Sequence, residues 1–243
     1  MKIKGQTVVV VGGGSGIGKA IAAQSIAAGA DVIISSRNAA KLEATVKQFG
    51  AGSALPLDMT DAVSVASWAD ALPQMDHLVI SASSAAHGRF SDLPEDDLRG
   101  MFDAKFFGPY ATAKAALNKI NKKGSITLFS GVLSRRPGLN CSGLGAVNGA
   151  IEALTKGLAL ELGPDLRVNC LSPGMVRSEA YAGMDSNDRE RMYETTGESL
   201  PVGRVGSVQE AAEAAMFLME NAYTTGIVLD VDGGHMIRQY ANR

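Results

Sequence analysis

Seven short apolar runs alternate with amphipathic segments along this chain of 243 residues, and that alternation restricts the fold more than any other feature. The runs are short and rich in β-branched residues, as buried strands are. They span residues 7–11, 31–35, 54–57, 77–81, 125–129, 167–171 and 227–231. The segments between them carry helical periodicity at 16–28, 39–49, 61–71, 94–120, 143–163 and 207–220. This order predicts an α/β fold with a single, doubly wound parallel sheet of seven strands and helices on both faces.

The domain organisation follows from what the chain lacks. No Pro/Ser-rich linker, repeat or low-complexity run interrupts the alternation, so we expect one domain over residues 1–243. The stretch 175–203 departs from the pattern, because it is polar and rich in Arg and Glu. It follows the sixth predicted strand, and open α/β sheets bind ligands outside the carboxyl ends of their strands. We therefore predict a lid over the site, with a plain surface excursion as the alternative.

Composition and charge limit the kinds of partner that we expect the chain to bind. Hydrophobic residues make up 46% and charged residues 20%, which is typical of a soluble globular protein. The net charge of −2 provides no basic excess, so we expect neither nucleic acid nor membrane as a partner. The apolar run 7–11 is too brief for a secretory signal, which favours a cytoplasmic protein. Cys141 and Cys170 have no disulfide or metal-ligand spacing, so we expect reduced thiols and no metal.

A glycine-rich turn directly follows the first predicted strand and opens the first predicted helix. Glycines let the chain turn sharply and bring backbone N–H groups close to a phosphate at a helix N-terminus. The spacing is G-x-x-x-G-x-G and not G-x-G-x-x-G, since Ile17 and Ile21 stand where a third glycine would fall. The turn predicts a pyrophosphate site formed by Gly12, Gly14, Ser15, Gly16, Ile17 and Gly18.

Two other interpretations of this turn stay open. Residues 13–19 also read G-x-x-x-x-G-K, one residue short of the phosphate loop of nucleotide triphosphatases. Ala20 stands where that loop needs a hydroxyl for Mg²⁺, and the fourth predicted strand ends without an acidic metal ligand. The turn could also be purely structural.

Four further segments occur in a characteristic order after the glycine turn. They read LDMTD at 57–61, SPGMVRS at 172–178, PVGRVG at 201–206 and TGIVLDVDGG at 225–234. Together they resemble the short-chain dehydrogenase/reductase family over nearly the whole chain. The resemblance implies a Rossmann fold and an oxidoreductase that acts on a carbonyl/alcohol pair with a nicotinamide dinucleotide. It also implies a homodimer or homotetramer that pairs through the helices at 94–120 and 143–163.

The family's cofactor positions can be transferred to this chain. By resemblance, Asp58 bonds the adenine amino group with Met59 beside it, and the backbone near Ala82 lines the ribose. The nicotinamide end is held by Pro173, Gly174, Val176 and Ser178. Two departures from the family are that Val11 replaces a Thr and that residues 80–83 read ISAS in place of Asn-Asn-Ala-Gly.

The end of the second predicted strand indicates which dinucleotide binds. NAD enzymes of this type present a carboxylate there to the ribose 2′-hydroxyl. This chain has Ser36, which cannot repel a 2′-phosphate, and Arg37, whose cation can pair with one. NADP(H) is therefore favoured. NAD(H) remains possible, because Ser15 stands where many NADP-specific relatives have a basic residue and an Arg at a helix start is often merely solvated.

The family's catalytic positions can be located from recognisable segments: the Tyr and Lys by counting back from the helix at 152–162, the Ser from residues 128–131 and the Asn from residues 101–104. The Tyr and Lys positions fall on Leu144 and Asn148, the Ser position on Gly131 and the Asn position on Lys105. All four differ from the family, so the catalytic residues are unknown. We expect ordinary carbonyl reductase activity to be absent or very low, since a positioned acid is missing.

Two functional classes remain open. The chain is either an NADP(H)-dependent oxidoreductase with another proton donor, such as Lys105, His87 or a water, or a catalytically silent nucleotide-binding protein, such as a cofactor sensor or structural subunit. No tyrosine lies between 111 and 180. Tyr181 or Tyr193 could approach from the predicted lid, but a donor on a mobile loop is poorly positioned.

Lys105 and Asn148 occupy exchanged positions relative to the family's Asn and Lys. Lys105 lies on the apolar stripe of its predicted helix, so its side chain should point inward. Pro109 has no N–H for the carbonyl four residues back, so the helix should bend there. We hypothesise that Lys105 restores the cation that grips the nicotinamide ribose and that Asn148 holds a water. The alternative is that Lys105 extends past the stripe to solvent.

Overall fold

The sheet agrees with the sequence pattern. A computed structural model of the chain describes residues 2–81 and 86–238. All seven strands of the sheet run parallel in the order β3-β2-β1-β4-β5-β6-β9. They are β1 (Thr7–Val11), β2 (Asp31–Ser35), β3 (Ser53–Ala54), β4 (Met75–Ile80), β5 (Ile120–Phe129), β6 (Arg167–Pro173) and β9 (Val228–Val231). The order reverses between β1 and β4, which makes a topological switch point at their carboxyl ends.

The helices cover both faces of the sheet. They are α1 (Gly16–Ala27), α2 (Ala39–Phe49), α3 (Ala62–Ala71), α4 (Glu95–Phe102), α5 (Gly108–Ala116), α6 (Ser142–Leu162), α7 (Ser186–Glu198) and α8 (Val208–Glu220). Val8 and Val10 of β1 lie in the core cluster beneath α1 and α8, whereas Val9 and Val11 lie in the cluster beneath α3, α5 and α6. Because both faces of β1 are buried, its residues read as a continuous apolar run.

The segment predicted as one helix over 94–120 is divided. A π-helical turn, Asp103–Phe107, joins α4 to α5, and a 3₁₀ turn, Leu117–Lys119, follows α5. The N–H of Gly108 donates to the carbonyl of Asp103, five residues back. Pro109 provides no N–H, so the hydrogen-bond ladder cannot continue in the α register there. The structure thus has a π-helical turn where the sequence predicted a bend.

The polar stretch at 175–203 contains more regular structure than the sequence pattern indicated. It includes β7 (Val176–Arg177), a 3₁₀ turn at Glu179–Tyr181 and the whole of α7. Strand β7 pairs in parallel with β8 (Gly206–Ser207) as a separate two-stranded sheet. The Asp185 side chain caps α7 by accepting backbone N–H groups of its first turn. We refer to residues 175–203 as the lid segment.

One smaller difference concerns the length of β3. Strand β3 is shorter than the predicted run 54–57, and Pro56 has no N–H with which to extend the ladder. Within the described residues, none of the helices combines enough length and apolar character to cross a bilayer.

Candidate functional site

A cleft of about 860 Å³ opens at the carboxyl ends of β1, β2 and β4, at the switch point of the sheet. The glycine turn, the first turn of α2, helix α4 and the start of the lid segment surround it. Most of the predicted cofactor residues line it, namely Gly12, Gly14, Ser15, Gly16, Ile17, Gly18, Ser36, Arg37, Asp58, Met59 and Ser178. The fold therefore brings together residues that are up to 166 positions apart, from Gly12 to Ser178.

The glycine turn brings the N-terminus of α1 to the floor of this cleft. Gly12 has φ +88° and Gly16 has φ +52°, values that glycine adopts at little cost. A Cβ on Gly18 would lie 2.3 Å from the carbonyl oxygen of Gly12, so the turn also needs glycine there for close packing. Ser15 is the N-cap residue and its hydroxyl makes no capping bond. The orphan N–H groups of the first helical turn and the helix dipole together suit a phosphate group.

Two cations stand at the end of β2. Among the described residues that line the cleft, the basic ones are Arg37 and Lys41. Ser36 and Lys41 both face Gly14, since a Cβ there would lie 3.6 Å from the Ser36 hydroxyl oxygen and 4.0 Å from Cγ of Lys41. Sequence reasoning found Ser36 and Arg37 but missed Lys41. The available signal was its spacing, because Lys41 is a cation only four positions after Arg37, at the start of the helix predicted at 39–49.

The Asp58 carboxylate lines the cleft beyond the end of β3, beside Ser36 and Arg37. It accepts the Thr60 hydroxyl at 2.7 Å and the Thr60 backbone N–H at 3.0 Å. These two bonds, with a smaller contribution from the positive charge of Arg37, hold the pKa of Asp58 below its ordinary value. The group is therefore an ionised acceptor at neutral pH, which suits an exocyclic amino group.

The predicted nicotinamide-end residues lie mainly outside the lining of this cleft. Pro173 pairs with Val231 at the end of β6, and Val176 is buried in β7. A Cβ on Gly174 would lie 2.8 Å from Cα of Asp232, so the chain packs tightly at that glycine. Ala82, predicted to line the ribose, falls outside the described residues.

Three of the four positions counted as catalytic, Gly131, Asn148 and Lys105, lie close together at the end of β5. Asn148 donates from Nδ2 to the carbonyl oxygen of Gly131 at 3.3 Å, and Lys105 donates from Nζ to the carbonyl oxygen of Ser130 at 3.3 Å. Leu144 lies one turn before Asn148 on α6. The side chain of Lys105 points inward as predicted and the residue is only 6% exposed, so it does not extend to solvent. It does not line the cleft either.

Comparisons with known proteins agree with this geometry. The family model described as Enoyl-(Acyl carrier protein) reductase matches residues 11–236. A galactitol 2-dehydrogenase (L-tagatose-forming) of Cereibacter sphaeroides is 35% identical over 97% of this chain and 97% of its own length. A short-chain dehydrogenase/reductase, ATR9, of Stachybotrys chlorohalonatus is 30% identical over 97% of this chain and 99% of its own length. The chain belongs to the short-chain dehydrogenase/reductase family.

Solved structures extend the comparison. A small-chain dehydrogenase in complex with NADPH is 39% identical and superposes with a TM-score of 0.85, covering 96% of this chain and all of that one. The family relationship thus spans the cleft, the lid segment and the carboxyl end of the sheet.

A buried polar network lies behind Gly131 in this short-chain dehydrogenase/reductase. The Ser130 hydroxyl donates to the Glu152 carboxylate at 3.1 Å, and the Ser134 hydroxyl donates to the same oxygen at 2.6 Å. Arg135 pairs with Glu152 at 3.4 Å. Burial lowers the pKa of the Lys105 amine to about 8. The amine is therefore mainly protonated at neutral pH although it is buried in the fold.

The tyrosines of the lid segment are held within that segment. Tyr193 is 2% exposed, and its hydroxyl lies 3.4 Å from both the backbone N and the carbonyl O of Ser178. The ring of Tyr181 packs edge-on against it at 5.9 Å, and the Arg177 guanidinium lies 4.4 Å from its centroid. These contacts give Tyr193 a packing role in the lid segment.

Proposed function

We propose that this short-chain dehydrogenase/reductase binds NADP(H) in preference to NAD(H) and turns over ordinary carbonyl substrates slowly or not at all. The observation that carries the cofactor preference is the corner formed by Ser36, Arg37 and Lys41 at the end of β2. It presents two cations and a hydroxyl, with no carboxylate at residue 36. The NADPH complex of the relative that is 39% identical supports the same preference.

The fit to a dinucleotide rests on three parts of the cleft. The N-terminus of α1 suits the pyrophosphate, and the Asp58 carboxylate suits the adenine amino group. Arg37 and Lys41 suit a 2′-phosphate, because charge-assisted bonds to phosphate are stronger than neutral ones. The bound cofactor would supply hydride chemistry. The chain's own residues hold it and shield it from water.

The low turnover follows from the side chains at the end of β5. In the family a Tyr with a nearby Lys exchanges a proton with the substrate, and a Ser polarises its carbonyl. Here we place Leu144, Asn148 and Gly131 at those positions, and none of the three side chains can donate an acidic proton. A positioned acid contributes about 10² to 10⁴ in rate, so its loss leaves slow turnover at most.

Asn148 and Lys105 support a role in holding the cofactor, which we call the cofactor clamp, and not in donating a proton to the substrate. The Asn148 Oδ1 is buried and has no hydrogen-bond partner among the described residues, which suits an ordered water. The Lys105 ammonium donates to the carbonyl of Ser130, so its positive charge lies next to Gly131, just beyond the end of β5. We propose that this charge attracts the cofactor and that Asn148 holds the water.

One observation favours the first of the two functional classes, an oxidoreductase with another proton donor. His87 Nδ1 lies 3.4 Å from the sulfur of Cys141, which is the N-cap residue of α6 and precedes Leu144 by one turn. A thiol–imidazole pair can relay a proton. Burial raises the pKa of Cys141, so the thiol would act as an acid and not as a nucleophile.

Calorimetric titration of the wild type and Arg37→Ala with NADPH and with NADH tests the proposal. Removing the cation should weaken NADPH by about 1–2 kcal/mol, or roughly 5- to 30-fold, and NADH much less. Lys47→Ala is the matched control, because Lys47 is an exposed cation on α2, the helix that follows Arg37, and it does not line the cleft. An unchanged NADPH to NADH ratio in Arg37→Ala would overturn the assignment.

A further inference from the structure

An ion pair connects the lid segment to helix α2 across the cleft. Lys41 Nζ lies 3.4 Å from Oε2 of Glu179, the first residue of the lid's 3₁₀ turn. Both residues line the cleft, and their side chains are about half exposed, at 50% and 54%. The two residues are 138 positions apart in the sequence, so this contact exists only in the folded chain.

The pair lies beside the glycine turn. Lys41 faces Gly14 together with the Ser36 hydroxyl, and Ser178, next to Glu179, faces Gly16 at 3.9 Å from the Cβ position of that glycine. The Glu179 carboxylate therefore reaches the corner formed by Ser36, Arg37 and Lys41. This is the corner where we propose that the 2′-substituent of the adenosine ribose binds. A carboxylate is absent from β2 at this corner, but the lid segment supplies one.

The other acidic residues that line the cleft either have hydrogen-bond partners of their own or belong to other elements of the lining. Asp58 accepts two bonds from Thr60 and feels the charge of Arg37. The remaining acids of the described lining belong to α4 and the π-helical turn, and they are Asp96, Asp97 and Asp103. Glu179 is thus the lid carboxylate that neutralises one of the two cations of the corner.

We propose that Glu179 is a specificity-determining residue of the cofactor site. A 2′-phosphate must displace the Glu179 carboxylate from Lys41 in order to bind that lysine, whereas a 2′-hydroxyl need not. This inference rests on the proposed NADP(H) site. A phosphate monoester is mostly doubly charged near neutral pH and outcompetes a carboxylate for an ammonium group. NADP(H) therefore releases the start of the lid segment from α2, while NAD(H) leaves the Glu179–Lys41 pair intact.

The expected effects on NADPH affinity are modest, and they are opposite in sign for substitutions of Glu179 and of Lys41. Exposed ion pairs contribute little, so displacing Glu179 from Lys41 costs NADP(H) only a small part of its affinity. Glu179→Gln frees Lys41 and should tighten NADPH about 2- to 5-fold, with NADH unchanged or slightly weaker. Lys41→Met should weaken NADPH and leave NADH nearly unchanged.

The experiment is a double-mutant cycle on the whole chain, with Glu179→Gln, Lys41→Met and the double variant titrated calorimetrically. The probes are NADPH, NADH and two fragments without nicotinamide, adenosine 2′,5′-bisphosphate and 5′-AMP. Glu190→Gln is the matched control, because Glu190 is also a lid carboxylate in an ion pair, but it pairs with Arg177 outside the cleft.

The inference predicts that Glu179→Gln tightens NADPH and adenosine 2′,5′-bisphosphate only, and that this gain disappears in the Lys41→Met background. Equal changes for NADPH and NADH, a gain that persists without Lys41, or the same gain in Glu190→Gln would overturn it. Its failure is distinguishable from that of the proposed function. If the wild type prefers NADPH through Arg37 but Glu179→Gln changes nothing, the inference alone is wrong; if the wild type binds no NADPH, both are wrong.

Discussion

At the scale of single residues, Lys105 shows what sequence periodicity can and cannot establish. Its position on an apolar stripe correctly predicted an inward side chain. Periodicity could not identify its partner, because the carbonyl of Ser130 belongs to a strand end 25 positions away. The same limit applies to Lys41, whose partner Glu179 comes from the lid segment.

Replacing Lys105 tests the cofactor clamp. Lys105→Ala and Lys105→Met should weaken NADPH by about 1–3 kcal/mol if the amine makes a charge-assisted contribution to binding. Titration calorimetry measures this, with Lys114→Ala as a control for an exposed cation on α5. Unchanged NADPH binding in both Lys105 variants would contradict the proposed clamp.

The pKa of Lys105 also makes stability depend on pH. Burial lowers the pKa from 10.5 to about 8, so the folded state binds this proton less tightly than the unfolded state. The penalty is fully present below pH 8 and disappears as the pH rises through 10.5. The free energy of unfolding of the wild type should therefore rise relative to Lys105→Met across this window, by about 3 kcal/mol at most. Urea unfolding at pH 7.5 and 10.5 measures it, and a pH-independent difference would show that the amine is solvated.

At the scale of elements, local signals predicted the glycine turn, α1 and the end of β2, because each depends on neighbouring residues. The π-helical turn shows a partial success. Pro109 predicted an interruption of the helix, but not that the interruption would be a π-helical turn between α4 and α5. Strand β7 and helix α7 were not predicted, since the lid segment is polar and carries little hydrophobic periodicity.

Helix α6 carries four glycines that intrinsic helix propensity disfavours. Packing within the chain accounts for two of them, because a Cβ on Gly143 would lie 2.9 Å from Leu98 and one on Gly145 would lie 2.8 Å from the Leu133 carbonyl. A Cβ on Gly149 or Gly157 would touch nothing within 4 Å in the described chain. We propose that a second copy packs against this outer face in a homodimer or homotetramer.

A charge on the outer face of α6 tests that assembly. Ala153 is exposed between the two unpacked glycines, so Ala153→Arg should dissociate the oligomer to monomers while the fold is retained. Light scattering coupled to size-exclusion chromatography measures the mass. Val63→Arg is the control, because Val63 is 73% exposed on α3, away from α6. A monomeric wild type, or an Ala153→Arg oligomer of unchanged mass, would contradict the proposal.

At the scale of the whole molecule, the alternation of strands and helices was sufficient to predict the doubly wound parallel sheet. Parallel sheets need a crossover segment between strands, so the order of elements carries much of the topology. The position of the cleft was also predictable, because it forms where the strand order reverses. Side-chain contacts between distant segments were not predictable, and the lid's Glu179–Lys41 contact is one of them.

The most direct test of the account is the rate of carbonyl-dependent NADPH oxidation at saturating NADPH, measured with a broad panel of aldehydes and ketones. We predict that the wild type stays below about 1 s⁻¹ on all of them. A variant that combines Gly131→Ser, Leu144→Tyr, Asn148→Lys and Lys105→Asn places the family's residues at the positions that we propose for them, and it should be faster by about 10² or more on at least one substrate. Reduction of several carbonyl compounds by the wild type at more than about 1 s⁻¹ would contradict the account.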